Sequence, residues 1–288
     1  MRIRSIITVL ALVLLTPWAQ AAGMGWRVSD GDGNHLYLIG TVHAATEDIY
    51  PLPEPITAAF DSAEILVLEV DPRTMNQREM ERLVRRYGML SNRESLRDLL
   101  AADIWSRVVD WGQRVSLSSG QLNRMKPWLA TTTLVSVELA SIGVDRGLGM
   151  EPWLMERAIK RGMLVKQLET AEEQIGMLAG LPLEVQISFL ENSILDAETF
   201  SDSVGQLLGS WRNGDVEAMT ELLAETYAEQ PLIYEVMISS RNHRWVKAIE
   251  PMLASGQVHY VAVGALHMVG PDGLVALLLE AGFAVERL

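Results

Sequence analysis

Two short segments, more than two hundred residues apart, each place a histidine three residues after a glycine at the end of an apolar run. The first is Leu36-Tyr37-Leu38-Ile39-Gly40-Thr41-Val42-His43 and the second is Tyr260-Val261-Ala262-Val263-Gly264-Ala265-Leu266-His267. A buried strand that ends in glycine and then presents an imidazole builds a site at the strand's C-terminal end. Two further strand-like runs finish with an acid, Ala63–Val70 with Glu69 near its end and Met163–Leu168 with Glu169 just after it. Two imidazoles and two carboxylates on one sheet edge suit a divalent metal ion of the manganese, cobalt or zinc type. Such an ion lowers the pKa of bound water and polarises a carbonyl oxygen, which is hydrolytic chemistry. The expected ligands are His43, His267 and Glu69, with Glu69 or Glu169 as the general base. Arg241-Asn242, on a helical stretch, adds a carboxylate or oxyanion clamp and a second polar contact. A metal-free variant makes His43 the general base for water, held by a carboxylate.

Each residue also has a plainer role. A lone histidine after a strand is more often structural, and the matching Gly-x-x-His contexts are what set these two apart. Asp71, two residues beyond Glu69, competes with it for the same strand face. His35 and His259 begin the strands that Gly40 and Gly264 end, about 16 Å away at a rise near 3.3 Å per residue, and are read as structural. His243 is set aside because its helical neighbours point elsewhere, and Trp245 reads as a core anchor.

The elements that must position these groups follow from periodicity. Trp26–Ser29 and His35–Ile39 flank a Gly/Asp/Asn cluster and predict a β-hairpin. Ala63–Val70, Met163–Leu168 and His259–Val263 predict buried strands, and Phe283–Leu288 an edge strand. Between them, apolar residues at three- and four-residue spacing predict helical insertions over about 74–160 and 171–254. Pro127 is expected to open a helix and Gly162 to close one. Thr170 with Glu173 has capping-box spacing. Pro182, Gly205, Gly214 and Pro231 are expected to break the second helical block. Strands joined by helices predict an α/β fold with a largely parallel sheet, in one domain over residues 22–288.

Composition narrows the function classes. The 288 residues are 49% hydrophobic, with a net charge of −13 and no cysteine. The acidity argues against nucleic acid and anionic lipid as partners. The missing thiols exclude a cysteine nucleophile and a cysteine zinc site. Met1–Arg4 with the apolar run Ile6–Leu15 and Ala19-Gln20-Ala21 reads as a signal peptide over residues 1–21, so the mature chain is expected in the periplasm or secreted, with no membrane span. There is no phosphate-binding loop, no Gly-x-Ser-x-Gly elbow and no His-Glu-x-x-His.

Taken together, Leu38–His43, Leu68-Glu69, Leu168–Gln174, Arg241-Asn242 with Trp245, and Val263–His267 with Gly270 and Asp272-Gly273-Leu274 resemble the TraB/GumN family, which includes the TIKI metalloproteases and bacterial pheromone-shutdown proteins. The resemblance spans nearly the whole mature chain. It implies a sheet carrying two Gly-x-x-His motifs, related to the erythromycin-esterase and ChaN-like folds, and for TIKI-type members a divalent-metal-dependent peptidase. It puts His43 and His267 at the motif histidines, Glu69 at the acid after the second strand, and Arg241-Asn242 at the Arg-Asn pair. Where many members carry Gly-x-Asp, this chain departs from the pattern with Gly149-Met150-Glu151-Pro152, an acid one methylene longer and followed by proline. The expectation is an exported, metal-dependent, metallopeptidase-like hydrolase acting on a peptide or small molecule. The alternatives are a non-enzymatic haem- or peptide-binding protein using the same strand ends, and a partner-binding protein whose site is vestigial.

Overall fold

The structure, a computed structural model, describes residues 23–74, 76–195 and 199–288, so the signal sequence expected over residues 1–21 lies outside it. β1 (Gly25–Ser29) and β2 (His35–Thr41) form the expected antiparallel hairpin. Its turn is fixed by the Asp30 carboxylate, which accepts from the backbone N–H groups of Asp32 and Asn34 at 3.0 and 2.9 Å. β3 (Ile65–Leu68), β4 (Leu164–Gln167), β5 (His259–Gly264) and β6 (Ala284–Arg287) complete one six-stranded sheet in the order β4-β3-β5-β2-β1-β6. The pairs β4–β3, β3–β5 and β5–β2 are parallel, and β1 runs antiparallel to both β2 and β6. The chain is therefore the α/β protein with a largely parallel sheet that its pattern predicts. Every residue of β3 and β5 is buried, as two-sided cover by helices requires.

Helices leave the carboxyl ends of the parallel strands and return behind them. Pro127 opens the Pro127–Ser141 helix, and Gly162, at φ 67°, closes Met150–Arg161 in the left-handed region. Thr170 and Glu173 form both halves of a capping box at the start of Ala171–Ala179. Gly205 does not break its helix: Phe200–Asn213 runs through it and stops at Gly214, where φ is 65°. A single exposed glycine weakens a helix by only about 1 kcal/mol. Packing of Leu207, Leu208 and buried Trp211 against the main core supplies more than that.

Two apolar cores result. The larger lies on the sheet. A second, built from Leu96, Val108, Trp111, Leu122, Leu134 and Leu190 among others, lies wholly within the helical insertions. The insertions thus have their own internal packing and stand over the strand ends. Among the described residues, no helix is long and apolar enough to cross a membrane.

Candidate functional site

The two Gly-x-x-His segments lie on adjacent parallel strands, staggered by one residue: Gly40 pairs with Val263, and Thr41 with Gly264. A one-residue shift turns equivalent positions to opposite faces of a sheet. The two histidines therefore meet different surroundings. His43 follows β2 in irregular chain, its side chain 56% exposed, whereas His267 sits in the tight turn Ala265–Met268 and is 5% exposed. The glycines serve close approach. A Cβ on Gly264 would lie 2.9 Å from His43 Nε2 and 3.4 Å from Glu69 Oε1. One on Gly40 would lie 3.0 Å from the Ala265 backbone.

Glu69, Glu169, Arg241, Asn242 and His267 form one buried network. Arg241 is 4% exposed and reaches it from the second residue of the Ser240–Ala254 helix, whose buried face is Arg241, Asn242, Trp245, Ile249 and Leu253. Its Nε donates to Glu169 Oε1 at 2.8 Å, and its Nη2 bonds both Glu169 Oε1 and Glu69 Oε2. Its Nη1 donates to the Met237 carbonyl and faces His267 Nε2, each at 3.0 Å. The Trp245 ring lies under the guanidinium, 4.5 Å from its centre. Gln174 donates to Glu69 Oε2 at 3.2 Å and to Glu169 Oε1 at 3.3 Å, and the Gly264 N–H donates to Glu69 Oε1 at 2.7 Å.

Asn242 settles the state of His267. Its Nδ2 donates to the His267 and Asp272 carbonyls at 3.1 and 2.7 Å, so its Oδ1 is the acceptor facing His267 Nδ1 at 2.7 Å. His267 therefore carries its proton on Nδ1, and its Nε2 lone pair points at Arg241. Burial, with the positive charge of Arg241 beside it, lowers its pKa to about 3, and the ring is neutral. Burial would raise Glu69, but the charges of His43 and Arg241 and the Gly264 N–H outweigh it and hold the carboxyl at about 2.

His43 stands at the edge of this network and opens onto a cavity of about 420 Å³ between the strand ends and the insertions. Its Nδ1 lies 2.9 Å from Glu151 Oε1, which also accepts from Thr41 Oγ1 at 2.5 Å. Its Nε2 lies 3.6 Å from Glu69 Oε1, beyond hydrogen-bond reach. Burial works against protonation, but Glu151, by charge and hydrogen bond, and then Glu69 reverse this and raise the pKa to about 9. More than half of the side chain faces solvent, which screens the carboxylates and draws the value back toward neutrality.

The four residues expected at the strand ends and the helical Arg241-Asn242 pair converge, with their roles redistributed. Asp71 does not compete, because its carboxylate is held by Arg73 at 2.6 to 3.0 Å. His259 is buried at the far end of β5, and His243 bonds the Ser239 carbonyl on its own helix. The expected three-ligand metal set is not what these side chains form. His267 has its one lone pair directed at Arg241, and Arg241 already neutralises Glu69. Among the described residues, no cluster of three or more His, Asp, Glu or Cys side chains is arranged to hold a metal ion. The donor set does not fit a dication bound by His43, His267 and Glu69. Arg241 clamps the protein's own carboxylates, leaving no free N–H for an oxyanion, and Asn242 orients His267 instead of facing substrate. Glu151, Thr41 and Gln174 were missed. The signal for Glu151 was its place two residues after Gly149, the position to which the family resemblance assigns an acid.

The model of the TraB/PrgY/gumN family matches residues 24–287. The chain is similar to "Uncharacterized protein YbaP" of Escherichia coli (strain K12), 25% identical over 268 residues that cover 91% of this chain and 97% of the relative. An "Uncharacterized protein" of Treponema pallidum (strain Nichols) is 24% identical over 273 residues, covering 88% and 80% of the two chains. No solved structure matches. With the family's pattern extending from the first strand to the last, the chain belongs to the TraB/PrgY/gumN family.

Proposed function

We propose that this protein is a hydrolase in which His43 is the general base for water attacking an ester or amide carbonyl in the cavity. One observation carries the reading. Of the four strand-end groups, His43 and His267 line the cavity, and of these two only His43 has an unbonded nitrogen, with its Nδ1 held by Glu151 and its Nε2 3.6 Å from Glu69. A carboxylate on one imidazole nitrogen fixes the tautomer and leaves the other to take a proton. In the neutral ring, Nδ1–H donates to Glu151 and Nε2 keeps a lone pair that no hydrogen bond occupies. Water bonds to the carbonyl carbon as Nε2 takes its proton. The C–O or C–N bond then breaks, and the imidazolium returns that proton to the leaving group. Arg241 keeps Glu69 and Glu169 ionised and fixed, and its charge at the cavity wall favours the oxyanion without a direct hydrogen bond.

The test is a panel of activated esters and short peptides assayed with wild type and His43→Ala. Turnover by wild type that His43→Ala loses supports the reading, and equal rates from both proteins contradict it. The apolar lining of the cavity favours a second reading, a non-enzymatic binder of haem or a peptide. Saturable binding without turnover of any substrate selects it. The N-terminal segment supports action outside the cytoplasm, and in that case the mature chain isolated from cells begins at Ala22.

A further inference from the structure

The His43 cavity is lined by apolar and cationic groups together. Much of the apolar lining comes from two helices: Val135 and Leu139 on Pro127–Ser141, and Phe200, Val204, Leu207 and Leu208 on Phe200–Asn213. The second helix is fixed over the site, because buried Trp211 donates its Nε1–H to the Gly40 carbonyl at 2.6 Å. The basic lining is His43, His267, Arg241 and Arg146. Arg146 stands in the turn Arg146–Leu148, exposed, and among the described residues its guanidinium has no ion pair or hydrogen bond. That distinguishes it from Arg241, bonded to both glutamates, and from Arg244, 3.5 Å from Glu169. Asp145, the acid next to it, bonds the Gly147 N–H at 2.6 Å. Arg146 is close enough to oppose the protonation of His43 by charge. In a chain of net charge −13, an unpaired cation beside an apolar cavity is a feature to account for. The volume, about 420 Å³, falls in the range of roughly 300–1,000 Å³ for sites that enclose one small molecule.

We propose that the preferred substrate is an anionic amphiphile of the N-acyl amino acid class. Its acyl chain lies along the Leu139–Leu208 wall, its scissile carbonyl stands at His43, and its carboxylate meets Arg146. The inference rests on the hydrolase reading for the bond that is cleaved, and on the cavity walls alone for which molecule is held. Hydrolysis adds water across the C–N bond and releases a fatty acid and an amino acid, with no further reactant. The guanidinium gives the carboxylate a two-point, charge-assisted contact, and the apolar wall rewards each methylene it covers.

The probes are N-acylglycines with chains of two to twelve carbons, each as the free acid and as the methyl ester. In wild type, kcat/KM is expected to rise about two- to fourfold per methylene until the wall is filled. The free acid is expected to exceed its methyl ester by about tenfold or more, a ratio that Arg146→Ala removes. Val204→Trp, or Leu139→Trp should the first fail to fold, shortens the preferred chain. Binding of N-decanoylglycine and its methyl ester to His43→Ala, measured by calorimetry, separates the two claims. Selective binding of the acid without turnover in wild type upholds the ligand class and overturns the hydrolase. A flat chain-length profile, or an acid-to-ester ratio unchanged in Arg146→Ala, overturns the ligand class whether or not esters are cleaved.

Discussion

His43 and His267 differ above all in access. His267 is enclosed, neutral and bonded at both nitrogens, so it can only hold shape, whereas His43 has one nitrogen anchored and one open. Replacing His43 with alanine should lower kcat/KM for ester hydrolysis by about a hundredfold or more. Its thermal unfolding should change little, because more than half of the side chain is exposed. The pKa of His43 fixes the direction of the pH dependence. The folded site favours the protonated ring, so the active neutral base accumulates as pH rises from the ordinary value of 6.5 toward about 9. A plot of kcat/KM against pH should climb across that interval and then level. Glu151→Gln removes the largest charge that favours protonation, so its plateau should begin at lower pH; an unmoved profile would contradict the Glu151 assignment. At this scale the sequence was legible for His43, His267, Glu69, Glu169 and the Arg-Asn pair, because strand ends announce themselves by pattern. Glu151 was not. It lies more than a hundred residues from His43 on a helix whose face toward β2 no local pattern reveals.

At the level of elements, the site depends on how closely β5 passes beneath the β2 loop. Gly264→Ala puts a Cβ within 2.9 Å of His43 Nε2, in a place bounded by Glu69. The cost should be about 1–3 kcal/mol of stability from overpacking. The His43 ring must also shift, so activity should fall much further than stability does. Paired urea titrations and kinetics on this variant check both, and an active Gly264→Ala would show that the close approach does not matter. The strands and their largely parallel arrangement were legible from apolar runs, turn residues and the helices between them. The staggering of the two motifs was not, since register between distant parallel strands is set by packing. Gly205 misled for a related reason: its helix is held by Trp211 and Leu208 against the core, which outweighs a local propensity.

At the scale of the whole molecule, Arg241 is, among the described residues, the one buried arginine or lysine, and it joins β3, the Ser240–Ala254 helix and the turn after β4. Arg241→Ala leaves Glu69 and Glu169 buried without it and should cost about 3–5 kcal/mol in chemical denaturation. Glu69 gives the acid limit. Its folded pKa lies near 2 against an ordinary 4.5, so its contribution is complete above 4.5 and is lost as pH falls through about 2. Stability should therefore decline over that window, and less steeply in Glu69→Gln. The same network explains why the metal expected from the residue types finds no ready place: a guanidinium already supplies the positive charge between the two carboxylates and stands on the lone pair of His267. The most direct test is hydrolysis of p-nitrophenyl decanoate by protein stripped with a chelator and shown to hold no transition metal. Stripped wild type is expected to turn over as fast as untreated protein, and His43→Ala is not. Activity that disappears on stripping and returns with manganese, cobalt or zinc, or that survives in His43→Ala, would contradict this expectation.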